Sequence, residues 1–492
     1  MTQWTRTFKQ NSNARPAWAA AVAAGNRLYE VGKRWDDAAH GVNAKLVFPE
    51  GTNGGGLYSG TDGTFSAFHD SYGGAVFVPD MGPHGAMVFG GTGEGIIAEQ
   101  LAMWRINDDD PAWDVFQQPS YQLTAGAAAS AGASWYYNPT EYAALPALKK
   151  IPWSAGTGSP EGAWEATWDR TFPIGRAGWI IPGLCGDSEL GNSRPMAFRY
   201  NYPVYIPASM TGWGAGAIVI NDRSWHGSFG GNSGPPLGVS AADWYVAGNV
   251  WPSGRKKHRL FAMNVVTRQW SVIGTIPDFV NSYIGNIQQP YAFVDVAAKR
   301  VYYTAAYAGH ECLYYADFSA GAGAVTMSGL PVSLIESDGQ ADFSQSHSNA
   351  DLFVGATGTA LAGKKLYFFK NAFNRLGVID LVGNEKIDLN VSSPPPAGNW
   401  IFSVDHANAR VFITVKKSGT NTVTCTKFDI PSAHGTAGAY TLTTVSVDMN
   451  GITLEAAAGD IPYGSRGHYL DSLGGLVLLT QRYGKTLAFR PE

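Results

Sequence analysis

Cysteine is almost missing: three residues in 492, with Cys185, Cys312 and Cys425 far apart. That excludes a disulfide framework and any cysteine-based zinc spacing, and buried free thiols are the expectation. Charge is also scarce, at 15% of the chain with a formal net charge of −4. The basic residues are scattered except at Arg255–Arg259 (RKKHR). That cluster reads as a solvated hairpin turn, with a phosphate or glycan-sulfate contact as the alternative, and no nucleic-acid footprint is present. No apolar run reaches the length of a membrane helix, so membrane insertion is not expected. Ala17–Ala24 behind Arg6, Lys9 and Arg15 imitates a signal peptide. It is short, lacks leucine and runs into Asn26–Val31, and the expectation is cytoplasmic synthesis without a signal peptide.

What the chain has in abundance is apolar and turn-forming material: 45% hydrophobic residues, 60 glycines, 27 prolines, 16 tryptophans, 23 tyrosines and 23 phenylalanines. Aromatic and β-branched runs broken by Gly, Asn, Asp and Pro favour strands joined by tight turns. A strand–turn–strand figure recurs at Ala75–Phe89, Tyr291–Tyr303, Ile401–Ile413 and His468–Leu479, with fainter copies at Ala17–Val31 and Leu352–Phe369. A third strand ending in a polar residue follows, then a fourth that often opens with Trp, as in Leu101–Ile106 with Trp113–Phe116. Units too small to bury their own apolar faces must stack, which predicts an all-β fold: one β-propeller domain over residues 1–492. Seven four-stranded blades are expected, with six or eight as alternatives. The last unit supplies three strands, and Gln3–Phe8 (QWTRTF) is expected to add the fourth and close the ring. Residues Ser120–Ser240 fit the rhythm least and read as blades carrying long inserted loops, where binding or catalysis usually sits.

The segment Phe68–Gly91 (FHDSYGGAVFVPDMGPHGAMVFGG), followed by Leu101–Ile106 and Trp113, resembles a kelch repeat of the galactose-oxidase type. Paired glycines close its second strand and a Trp opens its fourth. The resemblance implies a seven-bladed propeller and leaves activity open, because the family includes oxidases, polysaccharide lyases and non-enzymatic adaptors. Its copper site is not matched: the adjacent Tyr-His ligand pair has no counterpart, His468-Tyr469 being reversed, and no cysteine fits the cross-link. No cofactor is therefore expected.

A propeller lyase needs a base for the proton beside a uronate carboxylate, a neutraliser for that carboxylate and an acid for the leaving oxygen. The residues that could serve are His69 with Tyr72, Arg199 with Tyr200, and His226, together with the Arg466–Tyr469 turn. Each has a plainer reading. His69 and His468 stand where a polar side chain hydrogen-bonds a neighbouring blade, and Tyr200, Tyr202 and Tyr205 read as packing between sheets. Glu336–Asp351 gathers Asp338, Asp342 and Asp351 in one loop that could hold calcium, although its spacing fits no EF-hand and a solvated loop is the alternative. Asp108–Asp110 reads as a turn. Gly358–Lys365 lacks the Ser or Thr of a phosphate loop, and Gly90–Gly95 lacks the helix a dinucleotide site needs.

With no complete catalytic constellation, the reading leans away from an enzyme. It favours a non-catalytic propeller that binds protein partners in a larger assembly or a glycan ligand. A bacteriophage virion, as a tail or fibre component, is one setting that suits the composition. The alternative is a carbohydrate-active enzyme of the propeller polysaccharide-lyase type.

Overall fold

The computed structural model describes residues 15–32, 74–90, 101–104, 106–111, 113–117, 181–187, 191–196, 200–222, 259–267, 270–275, 292–307, 310–333, 351–370, 375–398, 400–416, 420–453, 467–480 and 486–492. The first described elements are a short helix α1 (Ala17–Ala21) and a two-residue strand β1 (Tyr29–Glu30). Four strands follow, β2 (Gly74–Val78), β3 (Ala86–Gly90), β4 (Leu101–Trp104) and β5 (Trp113–Gln117). After them come a pair, β6 (Ile181–Asp187) and β7 (Gly191–Met196), then β8 (Tyr200–Ile206), helix α2 (Ala208–Thr211), β9 (Ala217–Asp222), β10 (Arg259–Asn264) and β11 (Trp270–Thr275). The next quartet is β12 (Ala292–Asp295), β13 (Arg300–Tyr307), β14 (His310–Asp317) and β15 (Thr326–Ser333). It is succeeded by β16 (Phe353–Val354), β17 (Lys365–Lys370), β18 (Leu376–Asp380) and β19 (Glu385–Leu389). The chain ends with β20 (Trp400–Asp405), β21 (Arg410–Lys416), β22 (Val423–Asp429), β23 (Thr443–Val447), β24 (Gly467–Leu470), β25 (Leu476–Thr480) and β26 (Thr486–Phe489).

These strands form an all-β propeller arrangement. Among the described residues there are six four-stranded antiparallel sheets, five of them meanders of four consecutive strands, plus the separate β6–β7 pair. The expectation of seven placed blades with long inserted loops within Ser120–Ser240. There the described chain gives β6–β7 and then β8 and β9, which complete a sheet with β10 and β11.

The sixth sheet runs β1-β26-β25-β24. Its fourth strand is Tyr29–Glu30, registered against Ala488 and Leu487, so the edge expected to receive Gln3–Phe8 is occupied by a later segment. Gln3–Phe8 itself lies outside the described residues.

The recurring hairpins have a common local cause. Asp295 and Asp405 end their first strands, and the Oδ1 of each accepts the backbone N–H three residues on, from Ala298 at 3.0 Å and Asn408 at 3.1 Å. The turns then pass through Lys299 and Ala409, both at φ 51°, and their carbonyls accept the N–H of Phe318 and Ile430 beyond the third strand. The polar residue that ends the third strand is engaged as well, for Asn264, Asp317 and Asp380 accept turn amides through their side chains. Short polar side chains take these positions because they replace backbone partners that a tight turn removes.

One expected strand pair is a helix instead. Ala17–Val31 starts with α1 after Pro16, because an alanine-rich turn gains more from helical geometry than from a strand with little to pack. Trp18 of α1 donates its indole N–H to the Ile106 carbonyl at 2.9 Å and meets Trp104 edge to face at 5.3 Å.

Arg490, just beyond β26, then binds three carbonyls: Nε to Val22 at 2.6 Å, Nη2 to Ala19 at 2.7 Å, and Nη1 to Gly474. Substituting Arg490→Ala should therefore cost about 3 kcal/mol, on the scale of charged hydrogen bonds. Arg490→Lys should recover only part, since one ammonium cannot span three acceptors. Urea denaturation measures both; an unchanged midpoint for Arg490→Ala would contradict this role.

Candidate functional site

Antiparallel alternation puts the turns between first and second strands, and between third and fourth, at one end of every sheet. At that end carboxylates reach across the seams between neighbouring sheets. Asp295 receives the Lys365 ammonium of the next sheet at 2.5 Å, with Asp295 2% and Lys365 24% exposed. Asp80, in the β2–β3 turn, accepts the Tyr205 hydroxyl of β8. Asp405 accepts the Tyr469 hydroxyl of β24. Tyr205 and Tyr469 are each the penultimate residue of a first strand, so these two bonds repeat one design. Burial first, then the Asp80 carboxylate, hold the Tyr205 phenol far above its ordinary value. Burial and then Asp405 push Tyr469 up to about 12. Both stay protonated donors at any physiological pH.

A fourth carboxylate, Asp380 at the end of β18, accepts the N–H groups of Val382 and Gly383 at 2.9 and 3.0 Å. It also meets His434 Nε2 at 2.8 Å, both side chains being buried. Burial opposes ionisation of Asp380, but the two amides and the His434 contact outweigh it and hold the carboxyl below its usual range.

Of the residues singled out in the sequence, His69, Tyr72, Arg199, His226, Asp338 and Asp342 lie outside the described residues. Tyr200 opens β8. Asp351 precedes β16 with a side chain 60% exposed, and its Oδ2 lies 3.9 Å from Nδ1 of His468 on β24, which is buried and pairs with the Phe77 ring at 5.6 Å. Three sheets thus meet around His468. Among the described residues no group of three potential metal ligands comes together. Asp108–Asp110 does occupy the turn between β4 and β5, where Asp109 Oδ1 accepts the Ala17 N–H at 2.9 Å. Gly358–Lys365 lies on the hairpin between β16 and β17.

Residues that the sequence reading passed over include two more repeat-related pairs. Arg300 and Asp317 stand 3.6 Å apart, Arg410 and Asp429 2.6 Å apart, and the register aligns Asp295–Arg300–Asp317 with Asp405–Arg410–Asp429. The shared pattern D-x-A-x-x-R-V at Asp295–Val301 and Asp405–Val411 was the available signal. His434 and Lys365 carried none, because their partners lie on other sheets.

No family model matches the chain, and no curated protein matches it. Similar solved structures are β-propeller proteins. They include a mutant of the Aleuria aurantia lectin in complex with Fucα1-6GlcNAc, at 9% identity and a TM-score of 0.38, covering 86% of this chain and 92% of that one. A mutant NanB sialidase from Streptococcus pneumoniae aligns at 8% identity and a TM-score of 0.36, covering 90% and 70%. TolB from Acinetobacter baumannii aligns at 10% identity and a TM-score of 0.30, covering 82% and 76%. At these identities no activity carries over.

The depressed pKa of Asp380 sets a pH dependence. Its contribution is full above the ordinary carboxylate value of about 4 and is lost as pH falls below it. Asp380→Asn should lower stability at neutral pH by about 3 kcal/mol, as expected when one partner of a buried pair is removed. The variant should also lose less than the wild type on acidification. Denaturation series from pH 7 to 3 would contradict the assignment if the two curves ran parallel.

Proposed function

We propose that the protein is a non-catalytic β-propeller that binds a glycan at the turn end of its sheets. The observation that carries this reading is the employment of the carboxylates there. Asp80, Asp295, Asp380 and Asp405 are tied to Tyr205, Lys365, His434 and Tyr469. Groups so engaged hold donors and acceptors in fixed directions, which suits recognition of hydroxyls better than transfer of a proton.

The polysaccharide-lyase reading is favoured by one feature, His468 beside the exposed Asp351. Kelch kinship and a seventh blade belong to the same proposal, supported by Gly90 ending β3 and Trp113 opening β5. Cytoplasmic synthesis and a place in a virion rest on composition alone.

A glycan array with neutral and acidic oligosaccharides, read together with tryptophan fluorescence, tests the proposal. Saturable binding with the glycan recovered unchanged is expected. Release of unsaturated uronates, seen by ultraviolet absorbance, would establish the lyase, and an array without binding would remove the glycan reading.

A further inference from the structure

We propose that the seam between the β12–β15 and β16–β19 sheets, at its turn end, is a binding site for a neutral oligosaccharide. Arg300, Asp317 and Tyr315 form its polar and stacking part, and Val296, Val354 and Val382 its apolar border. The inference rests on the glycan-binding reading and names the site for it.

Among the described residues the exposed large apolar side chains are Val266 at 73%, Val296 at 48%, Val354 at 41% and Val382 at 59%. A single exposed valine is ordinary, whereas a group of them marks a contact surface. Three of these converge on one lysine. Val296 follows Asp295, which holds the Lys365 ammonium. Val354 is the register partner of Lys365. Val382 follows Leu381, whose N–H donates to the Lys365 carbonyl at 3.0 Å.

Arg300 is the register partner of Asp295 on the same seam. Its guanidinium lies 4.2 Å over the Tyr315 ring and is hydrogen-bonded to Tyr302. Asp317 stands 3.6 Å from it, with the two side chains 34% and 22% exposed. A planar donor fork and a carboxylate acceptor are therefore fixed side by side at the surface, beside a half-buried aromatic ring. The repeat-related Arg410–Asp429 pair has Lys427 at the position of Tyr315 and His406 at that of Val296. The combination of ring and valines thus distinguishes this seam from its repeat.

Charge decides the occupant. Two cations face two carboxylates, so the seam offers no net field to an anionic or cationic ligand. Vicinal hydroxyls can accept from Arg300 and donate to Asp317 together, while the C–H face of the same ring covers tyrosine and valine carbon. The patch spans a few side chains, far less than the roughly 800 Å² per partner of a stable protein interface.

The test uses the full chain and, as probes, maltohexaose, cellohexaose, xylohexaose and mannohexaose, with hexagalacturonate as the charged counterpart. Arg300→Met should weaken binding of the preferred neutral probe about tenfold or more, and the pair Val354→Ser with Val382→Ser roughly fivefold. Val266→Ser, at another seam, should leave it unchanged. Because Arg300→Met could disturb the sheet, valine-methyl NMR of the unsubstituted protein supplies an independent readout. Titration should shift Val296, Val354 and Val382 and leave Val266 in place. Binding that shifts other methyls, or survives Arg300→Met in a folded variant, overturns the site while sparing the glycan reading. Failure to bind any probe overturns both. Tighter binding of hexagalacturonate, or a protein ligand lost with the two valines, would replace the neutral sugar as occupant.

Discussion

Strands in three of the described sheets are covered on both faces, and that constraint governs the rest. All residues of β18, β20 and β26 are buried although their side chains alternate between faces, so each strand must find apolar neighbours on two sides. They come from adjacent sheets. Phe293 stacks on Tyr367 at 4.0 Å across one seam, and Phe412 on Tyr469 at 5.4 Å across another. Each such ring contributes about 1.5–3 kcal/mol by burial, and none would be buried in an isolated sheet. Close approach needs small residues where backbones meet. A Cβ on Gly467 would lie 2.5 Å from Ser403 Oγ and 2.6 Å from Ile401 Cγ2, so glycine is what lets β24 lie against β20.

Seams filled with carbon leave polar chemistry to the ends of the sheets. Asp295 and Asp380, which terminate a first and a third strand, satisfy turn amides with one carboxylate oxygen and bind the neighbouring sheet with the other. Asp295 and Asp380 thus shape a hairpin and tie two sheets while themselves buried, and the turns they brace are held in place. The two ends of the chain follow the same logic: Leu28 donates to the Asp448 carbonyl and Asn26 to that of Arg490, which places the first strand between two sheets.

The hairpins were legible in the sequence because alternation and turn residues are local signals. Tyr291–Tyr303, Ile401–Ile413 and His468–Leu479 are strand pairs in the structure. The polar residues ending four of the third strands, Asn264, Asp317, Asp380 and Asp429, were visible too, although their bonds were not. Ala17–Ala21 misled because a five-residue apolar stretch has no readable period. Tyr29–Glu30 is too short to show one, and its place beside β26 depends on a partner more than 450 residues away. Cross-seam partners were out of reach for the same reason: periodicity tells which residues share a face, and nothing about which face meets it. Asp351 was noticed as a calcium ligand candidate, whereas its place 3.9 Å from His468 had no local signal.

Hydrogen–deuterium exchange of the intact chain tests most directly whether the sheets depend on one another. If double-sided burial is the governing constraint, amides in 376–380, 400–405 and 486–489 should be protected alike and should become exchangeable together, through global unfolding. Early, independent exchange of 486–489 while 400–405 stays protected would show that the sheets stand alone, and would contradict the account.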